Sequence, residues 1–381
     1  MRPSIGMRLS VLLVWSVIMG ACGGPVATGA PQLSVAESMT RRDTSGFRVA
    51  DAPRAFTFPA DHGAHEGFAV EWWYFTGNLQ SADGREFGYQ FTLFRSAIQA
   101  ERPVLASAWA TNYAWMAHLA VSDISGQRFF ADERFSREAI GIAGAQQTPW
   151  RIWLDDWQVF SEDADVRTMR VVASNADVAL DFNLDSSQTP VLQGDAGLSQ
   201  KSAGVGNASY YYSLTRMPTV GTLRIGTEIM PITGNSWMDR EWSTSALAAD
   251  QVGWDWFALH FTDGSDMMIY HLRRRDGTSD PYSGGSYRRA DGQVLRLQSA
   301  DITFQPQGSW QSPHTAAQYP ATWQITVAPL DMQFTVTPAL ADQELQVTVR
   351  YWEGAVRVDG RQGAQPLTGV GYLEMTGYAD R

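Results

Sequence analysis

Val178-Ala179-Leu180-Asp181-Phe182-Asn183-Leu184-Asp185 alternates apolar side chains with small or polar ones from end to end. Successive side chains of a strand leave opposite faces, so a period of two describes a strand with one face in a core. The same alternation recurs upstream, where Phe87, Tyr89, Phe91 and Leu93 are separated by Gly88, Gln90 and Thr92. It recurs downstream in Leu345, Val347, Val349 and Tyr351, separated by Gln346, Thr348 and Arg350. Tight-turn pairs punctuate these runs: Asp83-Gly84, Asp263-Gly264, Asp276-Gly277 and Asp359-Gly360. One segment, Ser243 to Asp250, reads as a short helix with Ser243 or Thr244 as its cap. The expectation is an all-β chain of antiparallel sheets closed into sandwiches or barrels.

An internal echo suggests how many. Trp72-Trp73-Tyr74-Phe75 leads through Asp83-Gly84 into a strand containing Tyr89. Trp254-Asp255-Trp256-Phe257 leads through Asp263-Gly264 into one containing Tyr270. Two aromatic hairpins so alike predict two similar β domains in tandem. Pro231 and Gly234 close a strand-like stretch, so the boundary is expected there, giving domains at 47–233 and 234–381.

The 381 residues carry 29 Lys and Arg against 40 Asp and Glu, a net charge of −11. Such an acidic chain is a poor match for phosphate backbones, and no nucleic-acid partner is expected. Apolar residues make up 44% and charged residues only 18%, which excludes a disordered chain. The 15 Trp, 13 Tyr and 17 Phe favour strands or a cavity for an apolar ligand.

At the N-terminus Arg2 and Arg8 precede an apolar run from Leu9 to Met19, followed by Gly20, Ala21 and Cys22. This is the order of a secretory leader, residues 1–21. The only cysteine follows small residues, and Met19-Gly20-Ala21-Cys22 resembles a lipoprotein lipobox. Cys22 is then lipidated, and residues 22–46, rich in Gly, Pro, Ala, Ser and Thr, form a flexible tether. That predicts an exported protein on the outer membrane, facing the periplasm. With no other Cys, there is neither an internal disulfide nor a thiolate metal site.

Three stretches pack carboxylates between aromatics: Glu71-Trp72-Trp73-Tyr74-Phe75, Trp237-Met238-Asp239-Arg240-Glu241-Trp242 and Gly253-Trp254-Asp255-Trp256-Phe257. A carboxyl group desolvated by neighbouring rings gains pKa and becomes a candidate general acid. The ring faces can stabilise a cationic intermediate. The same residues also read as scaffold, with Asp239, Arg240 and Glu241 in an ion-pair network and the Trp rings filling cores.

Lys201 is the sole lysine among 29 basic residues, leaving 29 − 1 = 28 Arg. A lysine kept in so arginine-rich a chain points to a site that takes an ammonium and not a guanidinium fork. Lys201 is therefore expected to point between the two barrels and pair with Asp239, Glu241 or Asp255, which leaves a different carboxyl as the acid. The six His are scattered, and His62 and His65 lie in a polar loop without helical spacing, so no metal and no cofactor is expected. There is no G-x-S-x-G, H-E-x-x-H or phosphate-binding glycine loop.

Glu71 to Leu79, Gly194 to Lys201, Ser209 to Ser213, Trp237 to Trp242, Gly253 to Phe257, Tyr351 to Gly354 and Gly371 to Tyr378 together resemble the carotenoid 1,2-hydratase-like (AttH-like) family of secreted proteins. The resemblance spans about residues 50 to 381 and implies two lipocalin-like antiparallel β-barrel domains. It also implies hydration or cyclisation chemistry, although many members are labelled hydrolases. The hydratases resemble Asp-His-Asn-Trp where this chain has Asp239-Arg240-Glu241-Trp242, and Tyr-x-Asp where it has Tyr270-His271-Leu272. These departures leave the substrate open.

The leading expectation is an enzyme acting on an apolar, unsaturated small molecule. Asp239 or Glu241 donates the proton, Trp242 and Trp256 stabilise the positive charge, and Tyr270 orients the acid or a water. Glu71, Trp73, Lys201, Arg240, Trp254 and Asp255 complete the expected binding site. The alternatives are a lipid carrier or chaperone without chemistry and, with no visible nucleophile, a hydrolase.

Overall fold

The computed structural model describes residues 44–101, 106–244, 247–248 and 250–378, together with the short strand Leu33–Ser34. The leader, Cys22 and most of the tether lie outside the described residues. The described chain forms two large sheets with three single 3-10 turns.

The first sheet is built around β1 (Val70–Ser81), β2 (Glu86–Ala97), β3 (Tyr113–Asp123), β4 (Arg128–Arg137), β5 (Ala208–Ile225) and β6 (Glu228–Ser243). Its order is β4-β3-β2-β1-β6-β5, continued by Val178–Asp185, Thr168–Ser174 and three shorter strands. The second sheet is built around β7 (Gln251–Phe261), β8 (Asp266–Arg274), β9 (Val349–Gln362) and β10 (Gln365–Met375). Its order is Val294–Gln298, Gly284–Arg288, β8, β7, β10, β9, Met332–Pro338, Gln318–Val327, Ile302–Gln311. In both sheets the first long strand pairs with the second on one side and with the last on the other, so the echo in the sequence is a duplicated topology. The expected pair of lipocalin-like antiparallel barrels is what the chain forms.

Each sheet curls around its own apolar filling. Trp73, Phe91, Trp115 and Trp157 are buried inside the first, and Phe257, Trp323, Phe334 and Trp352 inside the second. Each such side chain contributes roughly 1.5–3 kcal/mol by leaving water. The rings also pack on one another, with Trp73 and Trp115 stacked at 5.8 Å.

Two local expectations are corrected. The boundary expected at 233/234 falls inside β6, and the chain passes from one sheet to the other over residues 244–250. Pro231 does not end the strand, because pairing with β1 begins only at Ile232 and the missing N–H faces no partner there. Gly234 is no turn either: a Cβ at that position would lie 2.2 Å from the Asn78 carbonyl, so glycine allows β1 to approach. The helix expected at Ser243–Asp250 is absent among the described residues, where Ser243 ends β6 and Asp250 lies in a turn.

One irregularity shapes the site. Leu214 pairs with Met238 and Met217 with Ser236, so β5 holds one residue more than β6 between these pairs. This bulge inverts the phase of β5. On one side of it Tyr212 and Leu214 face inward, and on the other side Met217, Leu223 and Ile225 do.

Candidate functional site

The outer faces of the two sheets meet. Tyr74, Tyr211 and Trp237 of the first sheet pack with Trp256, Met268 and Tyr372 of the second in one buried cluster. Beside this cluster lies a cleft of about 140 Å³. One water centre needs only about 10–15 Å³, so the cleft admits a small organic molecule.

Two register rows form its walls. Across β5, β6, β1 and β2 run Tyr211, Glu241, Trp72 and Phe94. Across β8, β7, β10 and β9 run Tyr270, Trp256, Glu374 and Glu353. All but Glu353 line the cleft, joined by Tyr74, Lys201, Asp239, Trp254 and Tyr351.

Strand alternation sorts the residues expected in the site. Asp239, Glu241, Lys201, Tyr270, Trp254 and Trp256 are brought together in the cleft. Their sequence neighbours point the other way. Glu71, Trp73 and Arg240 lie on the inner faces of β1 and β6, where the Arg240 guanidinium covers the Trp73 ring at 3.9 Å and pairs with Glu71. Trp242 is stacked on His65 at 3.6 Å, so it cannot meet a cation in the cleft. Asp255 faces the second barrel, held by His271 and Arg273 at 3.1 Å each and by the Tyr378 hydroxyl at 2.9 Å. These five residues are scaffold, because each sits one position out of phase with the site.

Asp239 is the most heavily hydrogen-bonded carboxyl of the cleft. It is 4% exposed. Ser213 donates to Oδ1 at 2.6 Å, Trp237 Nε1 donates to the same oxygen at 2.7 Å, and the Tyr211 hydroxyl donates to Oδ2. Burial pushes its pKa up to about 7, assisted by the charge of Glu241 and held from rising further by the three donors. Lys201 lies where it was expected: Nζ is 3.2 Å from Glu241 Oε1 and over the rings of Tyr270 at 4.8 Å and Tyr211 at 5.2 Å. Burial opposes its charge, but Glu241 prevails and holds the ammonium above the usual lysine range. The lysine thus occupies one carboxylate and leaves the other free to hold a proton.

Sequence reasoning missed the contribution of β9 and β10. Trp254 Nε1 donates to Glu374 Oε1 at 2.8 Å, and the Tyr74 hydroxyl donates to the fully buried Glu353. Burial raises the pKa of both; the charge of Glu374 adds to the rise at Glu353, and those of Asp239 and Glu241 add to the rise at Glu374. Tyr351-Trp352-Glu353 and Tyr372-Leu373-Glu374 repeat the pattern of a carboxylate among bulky apolar residues. That signal was available. What sequence does not give is the register that sets one beside the other.

Comparison with known proteins gives a consistent family. The AttH-like family model matches residues 49–378. Kievitone hydratase of Fusarium solani subsp. phaseoli is 24% identical over 247 residues, which is 62% of this chain and 68% of the hydratase. Dehydratase asqC of Emericella nidulans is 27% identical over 173 residues, 43% of this chain and 47% of the dehydratase, so the match spans about half of that protein. A crystal structure of an AttH protein from Nitrosomonas europaea is 34% identical, covers 86% of this chain and 99% of its own, and superposes with a TM-score of 0.75.

Proposed function

The chain belongs to the AttH-like family, and from that premise we propose that the cleft between its sheets adds water to, or removes it from, an apolar unsaturated small molecule. The observation that carries this reading is Asp239: a buried carboxyl with a pKa near 7, open to a cleft walled by aromatic rings. A general acid works best when its pKa lies near the working pH.

In the hydration direction the Asp239 carboxyl gives its proton to one carbon of a double bond. The three donors then stabilise the carboxylate left behind. Trp72, Trp254 and Trp256 offer ring faces to the positive charge on the substrate. Water adds to the other carbon, and dehydration runs the same steps backwards. Glu241 stays with Lys201 and is not the proton source.

The test incubates purified protein with a panel of isoprenoid and phenolic alkenes in ¹⁸O-labelled water and follows mass gain. Wild type incorporates one oxygen into at least one compound, and Asp239→Asn loses that activity by about 10²–10⁴-fold. Incorporation that survives Asp239→Asn sinks the assignment. A carrier without chemistry is the second reading, favoured by the aromatic walls. It yields an apolar molecule in solvent extracts of the purified protein and no labelled product.

We also propose export and anchoring through Cys22, supported by the leader-like order of residues 1–21. Cys22→Ala then leaves the membrane fraction after a carbonate wash, with an unchanged melting curve. A variant that stays in the membranes overturns the anchor.

A further inference from the structure

The reading above uses one proton-holding carboxyl, contributed by the first sheet. The second sheet contributes two more. Glu353 and Glu374 are direct register partners on β9 and β10. Cross-strand partners hold their Cβ atoms about 4.5–5.5 Å apart on the same face, so two glutamate side chains at such positions can touch.

The one cation of the cleft, Lys201, is paired with Glu241. Among the described residues no Arg, Lys or His makes an ion pair with either carboxyl. Glu353 receives the Tyr74 hydroxyl on Oε1 and is also hydrogen-bonded by the Tyr351 hydroxyl. Tyr351 lies beside it, with its hydroxyl 2.8 Å from Nδ1 of the buried His118. Burial holds that imidazole neutral, near a pKa of 3. Glu374 receives only Trp254 Nε1 and faces the cleft, where Asp239 and Glu241 are the other acidic groups near it. Two adjacent carboxylates that lack a cation cannot both ionise, and they resolve this by sharing a proton.

We propose that Glu353 and Glu374 form a carboxyl pair that keeps one proton at neutral pH and serves, through Glu374, as the second proton-transfer group of the cleft. This rests on the reading of the cleft as a hydration site. Asp239 and Glu374 then stand on opposite sheets with the substrate between them. During hydration Asp239 loses its proton to the alkene carbon and a C–H bond forms. The incoming water forms the C–O bond and gives its surplus proton to Glu374, so the pair goes from one proton to two. Return of that proton to Asp239 through cleft water restores both sites, and the net change is the addition of H and OH across the double bond. Glu353 acts as a positioning residue: fixed by Tyr74, it holds the proton that keeps Glu374 able to accept another.

Infrared spectroscopy of full-length Asp239→Asn protein tests the pair without any substrate. That background removes the one other carboxyl of the cleft with a pKa near neutrality. A protonated-carboxyl band is expected at pH 7, and its titration midpoint falls when Glu374→Gln or Glu353→Gln removes the neighbouring carboxyl. If the Glu353 variant fails to fold, the Glu374 variant decides alone. Folded Asp239→Asn protein with no such band at pH 7, or with a band whose midpoint neither substitution lowers, overturns the pair. Once a turned-over compound is known, Glu374→Gln in the wild-type background should lower kcat by about 10²-fold with KM little changed. It should also shift the pH–rate profile. Full kcat in that variant overturns the catalytic role while leaving the Asp239 assignment untouched. Absence of turnover in wild type counts against the hydration reading and leaves the infrared result standing.

Discussion

Strands β1 and β6 carry two buried carboxylate clusters, back to back. On the inner face Glu71 is bound by Arg240 and by Arg95 Nε at 2.5 Å, with the His65 amide 3.1 Å from Oε2. On the outer face Asp239 is bound only by neutral donors. Both carboxylates are almost fully buried, at 2% and 4% exposure. Burial pushes both pKa values up, yet Arg240 and Arg95 reverse the effect at Glu71 and hold it well below the usual carboxylate range, while Asp239 rises to about 7. Depth does not tell an anchoring carboxylate from a reactive one. The number of cations on its face does.

The sharpest way to break this contrast is to remove the inner cation. Arg240→Leu leaves Glu71 with one guanidinium in a buried setting, which costs roughly 3–5 kcal/mol. For a body of this size that is a fall of about 10 °C in Tm, read by circular dichroism. A variant melting within about 2 °C of wild type would show the inner cluster to be as lightly held as the outer one.

The outer cluster should respond with the opposite sign. Asp239 binds its proton more tightly when folded, near pH 7, than when unfolded, near the ordinary 3.8. Its contribution to stability is complete below about pH 4 and is lost as pH rises towards 7, because the folded chain must then bury a charge. Asp239→Asn removes that loss, which is at most about 4 kcal/mol from a shift of about three units. The variant should melt above wild type at pH 8 and no higher than wild type at pH 4. Equal pH dependence in the two proteins would contradict the assignment.

The smallest effect concerns the one cation of the cleft. Glu241→Gln leaves Lys201 among Tyr211 and Tyr270 without its partner, so the main opposition to burial is gone and the ammonium pKa falls. As the chain has a single lysine, ¹⁵N-lysine labelling gives one side-chain resonance to titrate. If its midpoint does not move, Glu241 is not what holds the charge.

Much of this was legible in sequence because strands have a fixed period. The alternation around Phe182 and Phe91 gave sheets, and the paired aromatic hairpins gave duplication. The scarcity of lysine singles out Lys201 and leaves three carboxylates as partners, of which the structure selects Glu241. The errors share one cause. Glu71, Trp73, Arg240, Trp242 and Asp255 belong to stretches where carboxylates and aromatics crowd together, and in a strand the next residue belongs to the other face. Glu353 and Glu374, 21 positions apart, were missed for the complementary reason: strand register, which no local pattern encodes, makes them neighbours.

The bulge between Leu214 and Met217 gives that rule an evolutionary edge. It is the joint at which β5 changes which parity of residue it shows to the cleft. Loss of one codon there, with the Leu223 half kept in place, would turn Tyr210 and Tyr212 outward and send Tyr211 and Ser213 into the barrel. Asp239 would lose two of its three donors and face two different phenols. A family built on such a joint can explore new reactivity by deletion, a route closed to a strand of unbroken phase, where the same event would simply turn the core inside out.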